Sequence, residues 1–79
     1  MEKKLREIIA TIAETTPDFP GTADLKEDLQ VDSHRAVEIV FEIERVFDIK
    51  IPDDRFGEMR TFNETLNLVK SLTGAVATT

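Results

Sequence analysis

The sequence predicts an all-α fold of three substantial helices and one short one, with a long loop between the first two. Apolar residues recur at helical spacing in three separate segments, and prolines fall between those segments. Nowhere do apolar and polar residues alternate for long enough to claim a sheet. At 79 residues the chain is expected to form a single domain over 1–79, because two independent cores would be too small to hold. It has no cysteine, so packing rather than a disulfide or thiolate metal site must hold the fold.

The first helix is predicted over residues 2–15, where Leu5, Ile8, Ile9 and Ile12 make one stripe at i, i+3, i+4 and i+7. Pro17 and then Pro20-Gly21 stop it. The loop over 17–32 is long for so small a domain, and loops of that length are often functional. Phe19, Leu25, Leu29 and Val31 are the side chains expected to pin it down. The second helix is predicted over 33–48, with Asp32 as its N-cap. Its core face holds Ala36, Val40, Ile43 and Phe47, widened by Ile39 and Val46. Ile51-Pro52 breaks the chain, and residues 53–58 are expected to make one short turn with Phe56 as a buried anchor. Thr61-Phe62-Asn63-Glu64 fits a capping box. The last helix then turns Phe62, Leu66, Val69 and Leu72 inward, Gly74 closes it, and 75–79 reads as a frayed tail.

The net charge is −6, from 10 basic and 16 acidic residues. That argues against nucleic acid, whose phosphates need clustered Lys and Arg, and against an anionic membrane surface. Basic patches on proteins are the better match. No apolar run approaches the roughly 20 residues needed to span a bilayer. The N-terminus lacks the continuous apolar stretch of a signal peptide, so the expected location is the cytoplasm.

The informative stretch is Asp28-Leu29-Gln30-Val31-Asp32-Ser33, followed by Val37-Glu38-Ile39 within a helix that ends Phe47-Asp48-Ile49-Lys50-Ile51-Pro52-Asp53. Asp-Ser by itself fits a plain helix cap. In this register the stretch resembles the acyl carrier protein family, over most of the chain from the first helix to about Leu72. The resemblance implies a four-helix bundle of acyl-carrier type. It implies that Ser33 receives 4′-phosphopantetheine from coenzyme A through a phosphopantetheinyl transferase, with Asp32 completing the attachment motif. It also implies a phosphoprotein that is not an enzyme, holding acyl intermediates as thioesters in a fatty-acid, lipid or polyketide-like pathway. The expected partners are that transferase, an acyl-loading ligase and acyl-processing enzymes with basic docking patches, met by a monomeric carrier.

His34, Val37 and Phe41 form a second line on the second helix, at i, i+3 and i+7, which burial on one side cannot explain. The resemblance makes His34, Val37, Glu38, Phe41 and Glu44 a partner-docking set; the alternative for the apolar pair is packing against Leu25 or Leu29 of the loop. Glu42, Asp48, Asp53 and Asp54 extend the acidic rim. Ile43, Phe47, Ile51, Phe56 and Leu66 are candidates to line a space for an acyl chain. Two positions depart from the family pattern: His34 stands where leucine is usual, and Arg35 where the family is often acidic. Both change the edge of the docking surface nearest the arm, and predict a specialised carrier serving a dedicated pathway.

Rival functions fare worse. Ser33 and His34 are neighbours about 100° apart on a helix, so they do not form a nucleophile–base pair. One histidine and no cysteine give no transition-metal set, and the acidic pairs lack the spacing of a calcium loop. An aminoacyl or peptidyl carrier modified at Ser33, or an unmodified interaction domain on the same bundle, remains as the alternative.

Overall fold

A computed structural model of the chain describes residues 1–74; the expected frayed tail lies outside them. It contains α1 (Glu2–Ala13), α2 (Ser33–Phe47), a 3-10 helix (Asp53–Glu58) and α3 (Phe62–Thr73), in that order. This is the all-helical bundle the periodicity predicts. α1 packs on α2 and α3, and α3 packs on the 3-10 helix. Leu5, Ile9, Ile39, Ile43, Ile51, Phe62 and Val69 are completely enclosed and form the centre of the core.

Each helix ends for a local reason. α1 stops at Ala13, two residues earlier than expected, because Glu14 turns into the left-handed region at φ 59°. Its N–H still reaches Ala10 O, and Thr15 N bonds the same carbonyl at 2.9 Å. α2 closes in the same way at Asp48, φ 55°. α3 opens on the expected capping box: Thr61 Oγ1 accepts from Glu64 N at 3.1 Å, while Glu64 Oε1 accepts from Thr61 N at 3.1 Å. It closes on Gly74 at φ 76°, a conformation that favours glycine.

The long loop is held down as predicted, with Phe19, Leu25 and Val31 buried and Leu29 half-buried. Two tethers were not legible in the pattern. Leu25 N bonds Arg60 O at 2.8 Å and Phe62 N bonds Ala23 O at 3.2 Å, so Asp24 and Thr61 form an isolated antiparallel bridge. Arg6 of α1 lies over the rings of Phe19 and Phe62, 4.9 and 4.5 Å from their centroids. The same guanidinium donates to Pro17 O at 2.9 Å and to Phe19 O.

Three burial expectations need correction. Ala36 is exposed because it faces an open groove between α2, the end of the long loop and the 3-10 helix. Phe56 is 41% exposed rather than an anchor, since the 3-10 helix buries none of its residues. α3 also buries Leu68 and Thr65, which an i, i+4, i+7 stripe omits. Thr65 satisfies its hydroxyl by donating to Thr61 O at 2.8 Å, and Leu68 widens the buried face of the helix.

Candidate functional site

Ser33 is the first residue of α2 and is exposed. Asp32 precedes it in extended conformation, and its Oδ1 accepts from Arg35 N at 2.9 Å. The cap thereby fixes the direction in which α2 departs, and Ser33 with it. Backbone amides in the first turn of a helix have no partner inside it, so their positive ends favour an anion bound nearby.

Beside Ser33 lies a groove of about 560 Å³ between α2, the end of the long loop and the 3-10 helix. Leu25, Val31, Ile39, Val40, Phe56 and Met59 give it apolar walls, while Ser33, Asp32, Lys26 and Arg60 stand at its polar parts. Of the five residues expected to line an acyl space, only Phe56 borders this groove. Ile43 and Ile51 are sealed in the core, Leu66 is buried, and Phe47 is half-buried against it. The sequence shows which residues are apolar; which side of the bundle stays open depends on how the loop crosses.

Val37 and Phe41 are 46% and 64% exposed, so packing against the loop does not account for them. They border different depressions: Val37 the groove beside Ser33, and Phe41 a second one between α1 and α2. His34 is almost fully exposed, with Nε2 4.0 Å from Glu38 Oε1. Glu44 differs from the other docking candidates. Its side chain is only 15% exposed, and Oε2 accepts from Ile51 N at 2.8 Å, closing the turn after α2. It is therefore a structural carboxylate. Within the acidic rim, Glu38, Asp48, Asp53 and Asp54 are exposed, whereas Glu42 is paired with Arg45. That hydrogen bond from Arg45 is the main cause holding the Glu42 carboxyl below the usual carboxylate range.

Arg35 also departs from expectation. Instead of edging the docking surface it turns back to α1, bonding Ile12 O at 3.0 Å and Glu14 Oε2 at 2.9 Å.

Residues 3–69 match the family model described as the phosphopantetheine attachment site. The chain belongs to the acyl carrier protein family. It is 33% identical to the acyl carrier protein of Amoebophilus asiaticus over 63 residues, 80% of this chain and 79% of that one. The acyl carrier protein of Rubrobacter xylanophilus is 34% identical over 71 residues, covering 80% of this chain and 88% of its own. A shorter stretch of 48 residues, 61% of this chain and 59% of the other, is 44% identical to the acyl carrier protein of Picosynechococcus.

Members of this family are carriers rather than enzymes, and so is this chain. Covalent 4′-phosphopantetheine is the group the family carries, and its thiol supplies the thioester chemistry. The candidate site at the start of α2 fits such a group. An exposed hydroxyl opens a helix whose free amide ends suit a phosphodiester, and an apolar groove adjoins it. As a carrier the chain meets a phosphopantetheinyl transferase and acyl-processing enzymes. No helix among the described residues is long and apolar enough to cross a membrane.

Proposed function

We propose that this chain holds acyl intermediates as thioesters on 4′-phosphopantetheine attached to Ser33, as a single carrier domain over 1–79. The observation that supports this most is the position of Ser33, exposed at the start of α2 directly behind the Asp32 cap and beside the apolar groove. During transfer the Ser33 hydroxyl attacks the β-phosphorus of coenzyme A; its oxygen gains the bond to phosphorus as 3′,5′-adenosine bisphosphate leaves. The transferase supplies the base that takes the proton, since Ser33 has no basic partner among the described residues.

The docking surface we assign is His34, Val37, Glu38 and Phe41, without Glu44, whose carboxylate is committed to Ile51 N. Exposed acids at 38, 48, 53 and 54 favour ligases and acyl-processing enzymes with basic patches around their active sites. His34 in place of the family's leucine supports a specialised fatty-acid, lipid or polyketide-like pathway; the carrier is proposed to act as a monomer in the cytoplasm.

Incubation with coenzyme A and a broad-specificity phosphopantetheinyl transferase, followed by intact mass, tests the attachment. The wild type is expected to gain one phosphopantetheine and Ser33→Ala none; a wild type refractory to several transferases contradicts the proposal. Charging assays with acyl and amino acids decide between acyl cargo and the aminoacyl alternative. Phe41→Asp is expected to slow partner processing of the loaded carrier while moving stability by less than about 0.5 kcal/mol, because most of the side chain is already in solvent. Equal processing rates would remove Phe41 from the surface.

A further inference from the structure

The segment that presents Ser33 is held in an unusual way. Ser33, His34, Ala36, Val37 and Glu38 are all exposed, and the first buried side chain of α2 is Ile39. Between Val31 of the loop and Ile39, the first six residues of α2 thus bury no apolar side chain. On one flank lies the open groove, to which Ser33, Ala36 and Val37 contribute. Arg35 is about 200° around the helix from Ser33, on the opposite flank. It alone among residues 33–38 is partly buried, and it alone sends a side-chain hydrogen bond to another element among the described residues.

Its two bonds fall on the C-terminal end of α1. Ile12 O is one of the last carbonyls of that helix, which have no partner within it, and Glu14 is the residue whose left-handed turn ends it. A cation at a helix C-terminus is also favoured by the helix dipole. By contrast, the same cation left free in the first turn of α2 would sit at the unfavourable end of the α2 dipole. The arrangement therefore satisfies α1 and at the same time fixes the start of α2.

We infer that Arg35, through Ile12 O and Glu14, is a positioning residue for the modification of Ser33: it latches the start of α2 to the end of α1. This rests on Ser33 being the attachment point. The latch has a consequence of opposite sign to a plain charge effect. Arg35→Gln makes the surface more acidic, so steering toward a basic transferase would speed transfer. Loss of the latch slows it instead.

Steady-state transfer from coenzyme A by a purified transferase is the test. Arg35→Gln is expected to lower kcat/KM about fivefold, the loss that follows from about 1 kcal/mol of hydrogen bonding. Arg35→Lys should recover part of it. Glu14→Gln should slow transfer as well, and the double variant should lose less than the sum of the two. Thermal melts ensure that every variant is folded at the assay temperature, where a purely structural role leaves transfer unchanged. Equal or faster transfer by Arg35→Gln overturns the latch. Amide exchange tests it apart from the attachment reading. In Arg35→Gln, the Ala36 and Val37 amides should exchange about fivefold faster relative to Ile43. If the wild type takes no phosphopantetheine but exchange changes in this way, the attachment reading fails and the latch stands. Unchanged exchange at both amides contradicts the latch directly.

Discussion

Glu42 and Arg45 stand three residues apart on α2, and Arg45 donates to both carboxylate oxygens of Glu42. Because the folded carboxyl titrates below its unfolded value, the pair contributes stability above the unfolded pKa. That contribution is lost as pH falls through the folded pKa. Arg45→Gln is expected to shift the Glu42 midpoint upward in a carboxyl NMR titration; an unchanged midpoint would show that Arg45 is not the cause. Exposed pairs of this kind contribute little to stability, so the effect belongs to titration rather than to folding. At this same scale Arg35 and Glu44 mark the limit of a one-dimensional reading. Both are charges on a helix that the sequence assigns to the surface, yet one reaches α1 and the other closes a turn. Their partners lie 23 and 7 residues away, and periodicity says nothing about such pairs.

The helices themselves were legible because their signals are local. Asp32, the Thr61–Glu64 capping box and Gly74 act where the sequence places them. The 3-10 helix was found at the right residues, but Phe56 was misassigned, since a short turn has no periodicity to show which side is buried. The end of α2 depends on Glu44 in two ways: its backbone carbonyl accepts from Ile49 N and its side chain from Ile51 N. Glu44→Ala leaves the amide of enclosed Ile51 unpaired and is expected to destabilise the fold by about 1–2 kcal/mol in urea unfolding. A change below about 0.5 kcal/mol would return Glu44 to the surface set.

For the molecule as a whole, the long loop is what turns three helices into a candidate site. It lines the groove with Leu25 and Val31 and delivers the chain to Asp32 and Ser33. The sequence identified its apolar pins, but neither its bridge to Thr61 nor the Arg6 strap, both of which join distant residues. Arg6→Ala removes two carbonyl hydrogen bonds and two ring contacts from a side chain that is only 21% exposed. The expected loss is about 2 kcal/mol in chemical unfolding, with faster amide exchange through the loop at Ala23 and Leu25. Unaltered exchange there would show that the bridge alone holds the loop. The resemblance to the family lies in the register of Asp32-Ser33 with Ile51-Pro52-Asp53, the stretch that runs from the cap of α2 to the start of the 3-10 helix.

Attachment at Ser33 is the claim on which the others depend, and the chain permits a direct measurement. Cleavage after Lys26 and Arg35 releases peptide 27–35, in which Ser33 is the sole hydroxyl side chain. After incubation with coenzyme A and transferase, fragmentation of that peptide should place one phosphopantetheine on Ser33. A phosphopantetheine found on any other peptide, or none on 27–35 while a known carrier is modified in the same reaction, would contradict the account.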